Sequence, residues 1–383
     1  MNTQTTTAAG LDADERKQLV DSVRRFAERD YGFEARMRAL RHEGGFSPGH
    51  WRTFAELGWL GIGLPEDCGG LGGGAEQALL AEELGRCLAV EPWLANCALA
   101  GPLLAAQGDA AQRELVGKMV AGDTQLALAA HERQGRYDAF DVLTRATPVG
   151  DGWRLDGVKT LILNGANAQA LLVLARETGG QRDPEGLSLF LVAADSPGLG
   201  MRGLPTYDGR QTADLELRDV KVAAHARVGA AGKAWTGVEA AIDRATAMLC
   251  AEAVGAMDRA LTMTRDYLRT RKQFGKAITD NQVIRHRLVD MMVAIEQSRA
   301  ITEAAALGLD GDARGRRRAV SLAKAFVSGA GRRVGEDAVQ LHGAIGMTDD
   351  YEVGQCYKRL AATANLFGDA EWHGARLMDA AAG

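Results

Sequence analysis

Apolar positions recur at helical intervals in the first third of the chain, change to short alternating runs in the middle, and return to long helical stripes in the last third. Leu19, Val23, Phe26 and Ala27 mark one face of a helix predicted over residues 11–33, and Trp51, Phe54 and Ala55 repeat the pattern up to Gly58. Residues 58–74 are so rich in glycine that they predict a loop on a tight path, because glycine reaches backbone angles closed to other residues. That glycine pattern does not follow a strand of a βαβ unit, which argues against a Rossmann fold. Helical spacing resumes over 75–88, 95–107 and 112–119. In the middle third, Trp153, Leu155 and Val158 flank Asp156-Gly157, a pair that predicts a hairpin turn at that point. Residues 171–175 and 187–192 are apolar runs of strand length, and Leu215, Leu217, Val220 and Val222 alternate with charged neighbours.

Further on, Cys250, Val254, Met257, Leu261, Thr264 and Leu268 form one helical stripe, and Ile284, Leu288, Met291 and Ile295 a second. Leu322, Phe326, Ala330, Val334, Ala338 and Leu341 form a third, preceded by Arg316, Arg317 and Arg318 as a solvated first turn. The expected fold is α+β: an N-terminal helical domain over 1–122, a middle antiparallel β domain over 123–230, and a C-terminal four-helix bundle over 231–383.

Composition narrows the function. The 383 residues, 46% hydrophobic and 25% charged, are ordinary for a soluble globular protein. A net charge of −5 leaves no basic surplus to neutralise nucleic-acid phosphates. No run approaches the roughly 20 apolar residues of a membrane helix, and the threonine-rich start lacks the pattern of a signal peptide. Cys68, Cys87, Cys97, Cys250 and Cys356 are odd in number and without CxxC spacing, so they read as reduced thiols in a cytoplasmic protein, with no metal site. The basic stretch 267–282, with Arg269, Arg271, Lys272 and Lys276 around Phe274, reads either as a solvated turn between helices or as a clamp for a phosphorylated cofactor.

Three motifs bear on that choice. Pro65-Glu-Asp-Cys-Gly-Gly70 resembles the N-terminal Pro-Glu-x-x-Gly-Gly loop of the acyl-CoA dehydrogenase family. Arg271-Lys-Gln-Phe-Gly-Lys-Ala-Ile278, followed by Gln282, resembles its Arg-x-x-Phe-Gly-x-x-Ile…Gln element, and Gln340-Leu-His-Gly-Ala-Ile-Gly346 its Gln-x-x-Gly-Gly-x-Gly element. The resemblance covers essentially the whole chain, and its details look most like the small-subunit branch described for pimeloyl-CoA dehydrogenases and other heteromeric members. It implies an FAD enzyme converting an acyl-CoA thioester to the trans-2-enoyl-CoA, with electron-transfer flavoprotein as electron acceptor. By the family pattern Arg271 would bind the FAD pyrophosphate of a neighbouring subunit, Phe274 would pack on the cofactor, Gln282 would hydrogen-bond it, and Gln340 and Gly343 would approach its adenosine end. Residues 128–132 and 159–164, with His131, Leu161 and Leu163, correspond to the strands that meet the isoalloxazine ring.

Departures from the pattern concern the chemistry. Leu163 stands where the family has the threonine that meets flavin N5, and His131 where it has the threonine of Thr-Glu. The base glutamate of the family's Tyr-Glu-Gly-Thr segment aligns with Phe367, or with Gly368 after a one-residue shift, and the alternative base position aligns with Ala245. Asp369 remains as a substitute base, a helix cap or a cofactor contact; Asp243 as a substitute base, a cap or a partner of Arg244. Glu252 reads as a buried carboxylate aimed at a partner subunit. The chain is therefore expected to be a catalytic acyl-CoA dehydrogenase using a substitute base, a non-catalytic subunit completing the FAD site of a glutamate-bearing partner, or a flavin oxidase or monooxygenase on the same scaffold. The expected assembly is a homotetramer or an α2β2 heterotetramer.

Overall fold

The computed structural model describes residues 10–382; the threonine-rich start lies outside that range. Helices come first: α1 (Ala13–Arg29), α2 (Phe33–Arg41), α3 (Pro48–Glu56), α4 (Gly74–Arg86), α5 (Gly101–Gln107) and α6 (Ala110–Val120). Strands follow: β1 (Leu126–Ala129), β2 (Arg145–Val149), β3 (Gly152–Leu163), β4 (Ala170–Arg176), β5 (Leu187–Ala193), β6 (Leu199–Pro205), β7 (Gln211–Ala223) and β8 (Arg227–Val228). Then come α7 (Trp235–Thr270), the short strands β9 (Lys272–Gln273) and β10 (Lys276–Ala277), and α8 (Gln282–Leu307), α9 (Ala313–His342), α10 (Glu352–Thr363) and α11 (Ala370–Ala382). This is the expected α+β order of helices, sheet and helices. None of the described helices is long and apolar enough to cross a membrane.

The first helical stripe lies on α1 alone, which ends short of residue 33, where α2 begins. Asp12 and Glu15 close a capping box at the start of α1, and Asp30 ends it, its N–H donating to the Phe26 carbonyl. The stretch 95–107 splits into a π-helical turn (Leu94–Ala100) and α5. Within the glycine-rich loop, a Cβ on Gly61 would lie 2.7 Å from the Gly69 carbonyl, so the tight path depends on a missing side chain.

By packing, the chain divides into two units. One comprises Ala39–Gly73 and Val90–Ala245 and is built on the sheet. Its strands run in the order β6-β7-β3-β2-β4-β5-β8, with β1 added alongside β4. The sheet is mixed rather than antiparallel: β1 and β2 both pair with β4 in parallel. Leu155, Ile162, Leu171, Val173, Phe190 and Leu215 are among the side chains of its core. The predicted turn at Asp156-Gly157 is absent, because β3 runs unbroken through it and the chain reverses one step earlier, where Val149 pairs with Gly152. Gly157 instead marks a bulge in which a Cβ would lie 2.4 Å from Thr144 Oγ1, and Asp156 Oδ1 accepts the Asp219 N–H at 2.8 Å.

The other unit comprises residues 11–38, 74–89 and 246–382. Backbones of α4 and α7 touch: a Cβ at Gly85 would overlap the Glu252 carbonyl, and one at Gly255 the Glu82 carbonyl. On α9 the C-terminal half of the predicted stripe is buried at Ala330, Val334 and Ala338, but in the N-terminal half the buried face is Val320, Ala323 and Val327, with Leu322 48% exposed. Arg316 is buried rather than solvated. Glu252 is paired within the chain, with the fully buried Arg359, whose guanidinium also donates to the Ala89 carbonyl at 3.1 Å. The expectation that Glu252 points at another subunit is corrected by that ion pair.

Candidate functional site

In the sheet unit, residues 128–132 and 159–164 lie side by side. Thr160 donates its N–H to the His131 carbonyl at 3.0 Å. Lys159 Nζ, fully buried, donates to the Ala130 carbonyl at 3.1 Å and to Glu132 Oε1 at 2.8 Å. Glu132 also accepts the Leu143 N–H at 2.8 Å, the Thr144 N–H at 3.0 Å, the Thr144 hydroxyl at 2.6 Å and Gln134 Nε2 at 2.9 Å. Burial works against the Glu132 charge, but Lys159 and these donors outweigh it and hold the carboxyl at about 2. His131 is half-buried, and burial aided by the Lys159 charge pushes its imidazole down to about 4.

Leu161 has φ +53° and is 58% exposed, an uncommon conformation for a bulky side chain, at a second irregularity in the pairing of β3 with β7. Leu163 is buried and, with Phe46, Pro92, Leu94 and the Glu91 carboxylate, lines a small pocket of ≈ 30 Å³. Asp243 and Ala245 are both buried on α7.

In the helical unit, the stretch 267–282 is a helix end, a two-residue hairpin and a helix start. β9 and β10 pair across Phe274 and Gly275, which have φ of +52° and +80°. This left-handed pair suits the twist of a tight hairpin, but a large side chain at its first position is disfavoured. The Phe274 ring is 99% exposed. Arg271 is exposed and its guanidinium makes no ion pair among the described residues, while Gln282 is exposed on the first turn of α8. Gly343 ends α9 with φ +67°, and its N–H donates to the Val339 and Gln340 carbonyls. A Cβ on Gly343 would meet nothing within 4 Å, so the glycine serves the turn rather than a close approach within the chain.

The third group in the same unit surrounds the position aligned with the family's base. Phe367 is buried with φ +60°, and Gly368 has φ +117°. A Cβ at Gly368 would lie 2.6 Å from Trp372 Cε3 and 2.7 Å from His373 Nε2, so a side chain there would force both rings to move. Lys324 Nζ donates to the Gly368 carbonyl at 2.6 Å, the Ala364 carbonyl at 3.3 Å and Ser328 Oγ at 3.1 Å. His373 Nε2 lies 3.1 Å from the Phe367 carbonyl, which can only accept, so that nitrogen carries the proton and Nδ1 faces Ser321 Oγ at 3.2 Å. Burial, with Lys324 and Arg376 nearby, pushes His373 down to about 3, and burial pushes Lys324 down to about 8. Asp369 Oδ1 accepts the Trp372 N–H at 2.8 Å, the geometry of a helix cap on α11.

Lys324, His373 and Lys159 do not stand out by motif. For Lys324 a signal existed: it interrupts the apolar face of α9 between Val320 and Val327.

Family models match the chain in three consecutive stretches: the acyl-CoA dehydrogenase N-terminal domain over residues 13–123, the middle domain over 127–220 and the C-terminal domain over 232–382. The chain is 31% identical to acyl-CoA dehydrogenase FadE27 of Mycobacterium tuberculosis over 330 residues, 84% of each protein. It is 28% identical to the caffeyl-CoA reductase-Etf complex subunit CarC of Acetobacterium woodii over 354 residues, covering 90% of this chain and 92% of that one. Among solved structures, the ChsE4-ChsE5 complex from Mycobacterium tuberculosis superposes with a TM-score of 0.87 at 28% identity, covering 97% of this chain and 98% of that one.

Proposed function

The chain belongs to the acyl-CoA dehydrogenase family, whose members are FAD-dependent flavoproteins, and on that footing we propose that it is the cofactor-holding subunit of a heteromeric acyl-CoA dehydrogenase whose base sits on a partner chain. The observation that carries this reading is the closed turn at 367–368. One candidate base position is a buried phenylalanine, and the other is a glycine whose Cβ would strike Trp372 and His373. Ala245, at the family's alternative position, has no group to accept a proton, and Asp369 is engaged in capping α11. The name of the ChsE4-ChsE5 complex supports a heteromeric assembly, and that of the Etf-complex subunit CarC supports electron-transfer flavoprotein as the electron acceptor.

The residues present fit the holding of FAD. Arg271 offers an exposed guanidinium, without an ion pair among the described residues, whose planar fork matches pyrophosphate oxygens, and Phe274 offers a fully exposed ring nearby in the chain. Both suit a cofactor presented by a neighbouring subunit. Gln282 would hydrogen-bond the same cofactor, and Gln340 and Gly343 would take its adenosine end. Leu161 and Leu163 could donate no hydrogen bond to a ring held there, so His131 is the side chain among the three that can form one. Held by Arg271, Phe274 and Gln282, FAD would supply a hydride acceptor for the β-hydrogen of an acyl-CoA, and the α-proton would go to a carboxylate of the partner.

Purification decides between this reading and a self-sufficient enzyme. The chain alone should be colourless or weakly flavinylated and inactive, gaining flavin and acyl-CoA-dependent reduction of an electron acceptor on co-expression with a glutamate-bearing partner. A yellow homotetramer that oxidises an acyl-CoA unaided would overturn the proposal.

A further inference from the structure

Lys159 has no role in the proposed chemistry, yet it is a fully buried cation within the strand pair assigned to the flavin ring. Its two strongest contacts bracket His131 in the chain: the Ala130 carbonyl on one side and the Glu132 carboxylate on the other. The next residue of β3, Thr160, grips the His131 carbonyl. Residue 131 is thus held on both flanks and at its own backbone by two consecutive residues of one strand. Its imidazole, by contrast, makes no hydrogen bond among the described residues. Nor does Glu132 need Lys159 to be satisfied, since Leu143, both donors of Thr144, and Gln134 remain. A buried ammonium is expensive to keep when its partner is already satisfied.

We propose that Lys159 is a positioning residue for His131, holding the imidazole at the flavin face and keeping it neutral, so that this position presents a hydrogen-bonding edge and no charge. The inference rests on the assignment of residues 128–132 and 159–164 to the cofactor. Charge and burial agree with it. Burial and then Lys159 press His131 down to about 4. Lys159 itself is pressed by burial to about 8 despite the opposing pull of Glu132, with Arg176 adding positive charge. Between those values the imidazole is neutral and the ammonium charged.

The test is the titration of His131 in the full-length chain by NMR of labelled histidine, assigned with His131→Asn. The wild-type midpoint is expected near 4, rising toward but not reaching 6.5 in Lys159→Met and staying low in Lys159→Arg. Lys159→Gln, which keeps a donor for the Ala130 carbonyl, serves in place of Lys159→Met should that variant not fold. With FAD bound, the flavin spectrum should be flat across the neutral and mildly acid range in wild type. In Lys159→Met it should gain a pH-dependent transition that adding His131→Phe removes. A wild-type midpoint at the ordinary histidine value, or one that loss of the lysine charge leaves unmoved, overturns the coupling. A chain that takes up no flavin even with its partner overturns the assigned function and the destination of the imidazole, while the cofactor-free titration still reads the coupling.

Discussion

Gly368 and Arg271 show how single residues divide the labour of this chain. Gly368 sits at φ +117° with its carbonyl on Lys324, and a Cβ added to it would strike Trp372 and His373. Gly368→Ala is expected to destabilise the chain by about 1–3 kcal/mol, from the backbone strain and the collision together; urea denaturation of the variant measures it. Gly368→Glu would meet the same obstacle. Arg271 is the opposite case. It is exposed and contributes no ion pair to the described fold, so Arg271→Ala should leave thermal stability unchanged. Flavin affinity should fall by about ten- to a hundredfold, because a charge-assisted hydrogen bond contributes about 1.5–3 kcal/mol. Unchanged flavin content would remove Arg271 from the site.

At the scale of elements, the hairpin formed by β9 and β10 carries a tension between stability and use. A tight turn of this hand prefers asparagine or glycine at its first position, and here that position is Phe274. Phe274→Asn should therefore stabilise the cofactor-free chain by up to about 1 kcal/mol while weakening flavin retention; parallel melting curves and flavin titrations separate the two effects. The same element shows where the sequence could and could not be read. The glycines, the arginine and the aromatic were visible as a motif, but not that Phe274 stands wholly in solvent, since exposure depends on what the rest of the chain leaves uncovered. Helix and strand periodicity located most elements. It misplaced the turn at Asp156-Gly157 because an Asp-Gly pair serves a bulge as readily as a hairpin, and only the fit of Gly157 against Thr144 distinguishes them. Only the first half of the α9 face differs from its periodicity by about one position, because small residues such as Ala323 signal burial weakly beside Leu322. The base position could be aligned from sequence, but its closure by His373 and Trp372 is a tertiary fact.

For the whole molecule, two imidazoles held below their ordinary value predict the response to acid. His131 and His373 are held at about 4 and about 3, below the ordinary 6.5, so the unfolded chain takes up these protons first. Stability is therefore fully present above about pH 6.5 and declines as pH falls toward about 3, by up to about 1.4 kcal/mol per pH unit for each proton. Glu132 adds to this lower down: held at about 2, it contributes stability that is full above its ordinary 4.5 and disappears as pH falls through about 2. Denaturation at about pH 7 and about pH 5 should show the decline, and His373→Gln, where it folds, should flatten it. Assembly leaves its own trace on the molecule. The hairpin between α7 and α8 sets Arg271, Lys272 and Lys276 around a solvent-exposed ring, so in the isolated chain it is a place where trypsin can cut. A cofactor and a neighbouring subunit that close over the same residues would hide them from the protease. Cleavage within 269–276 thus becomes a reporter of assembly, telling orphan subunits from partnered ones before any flavin is measured.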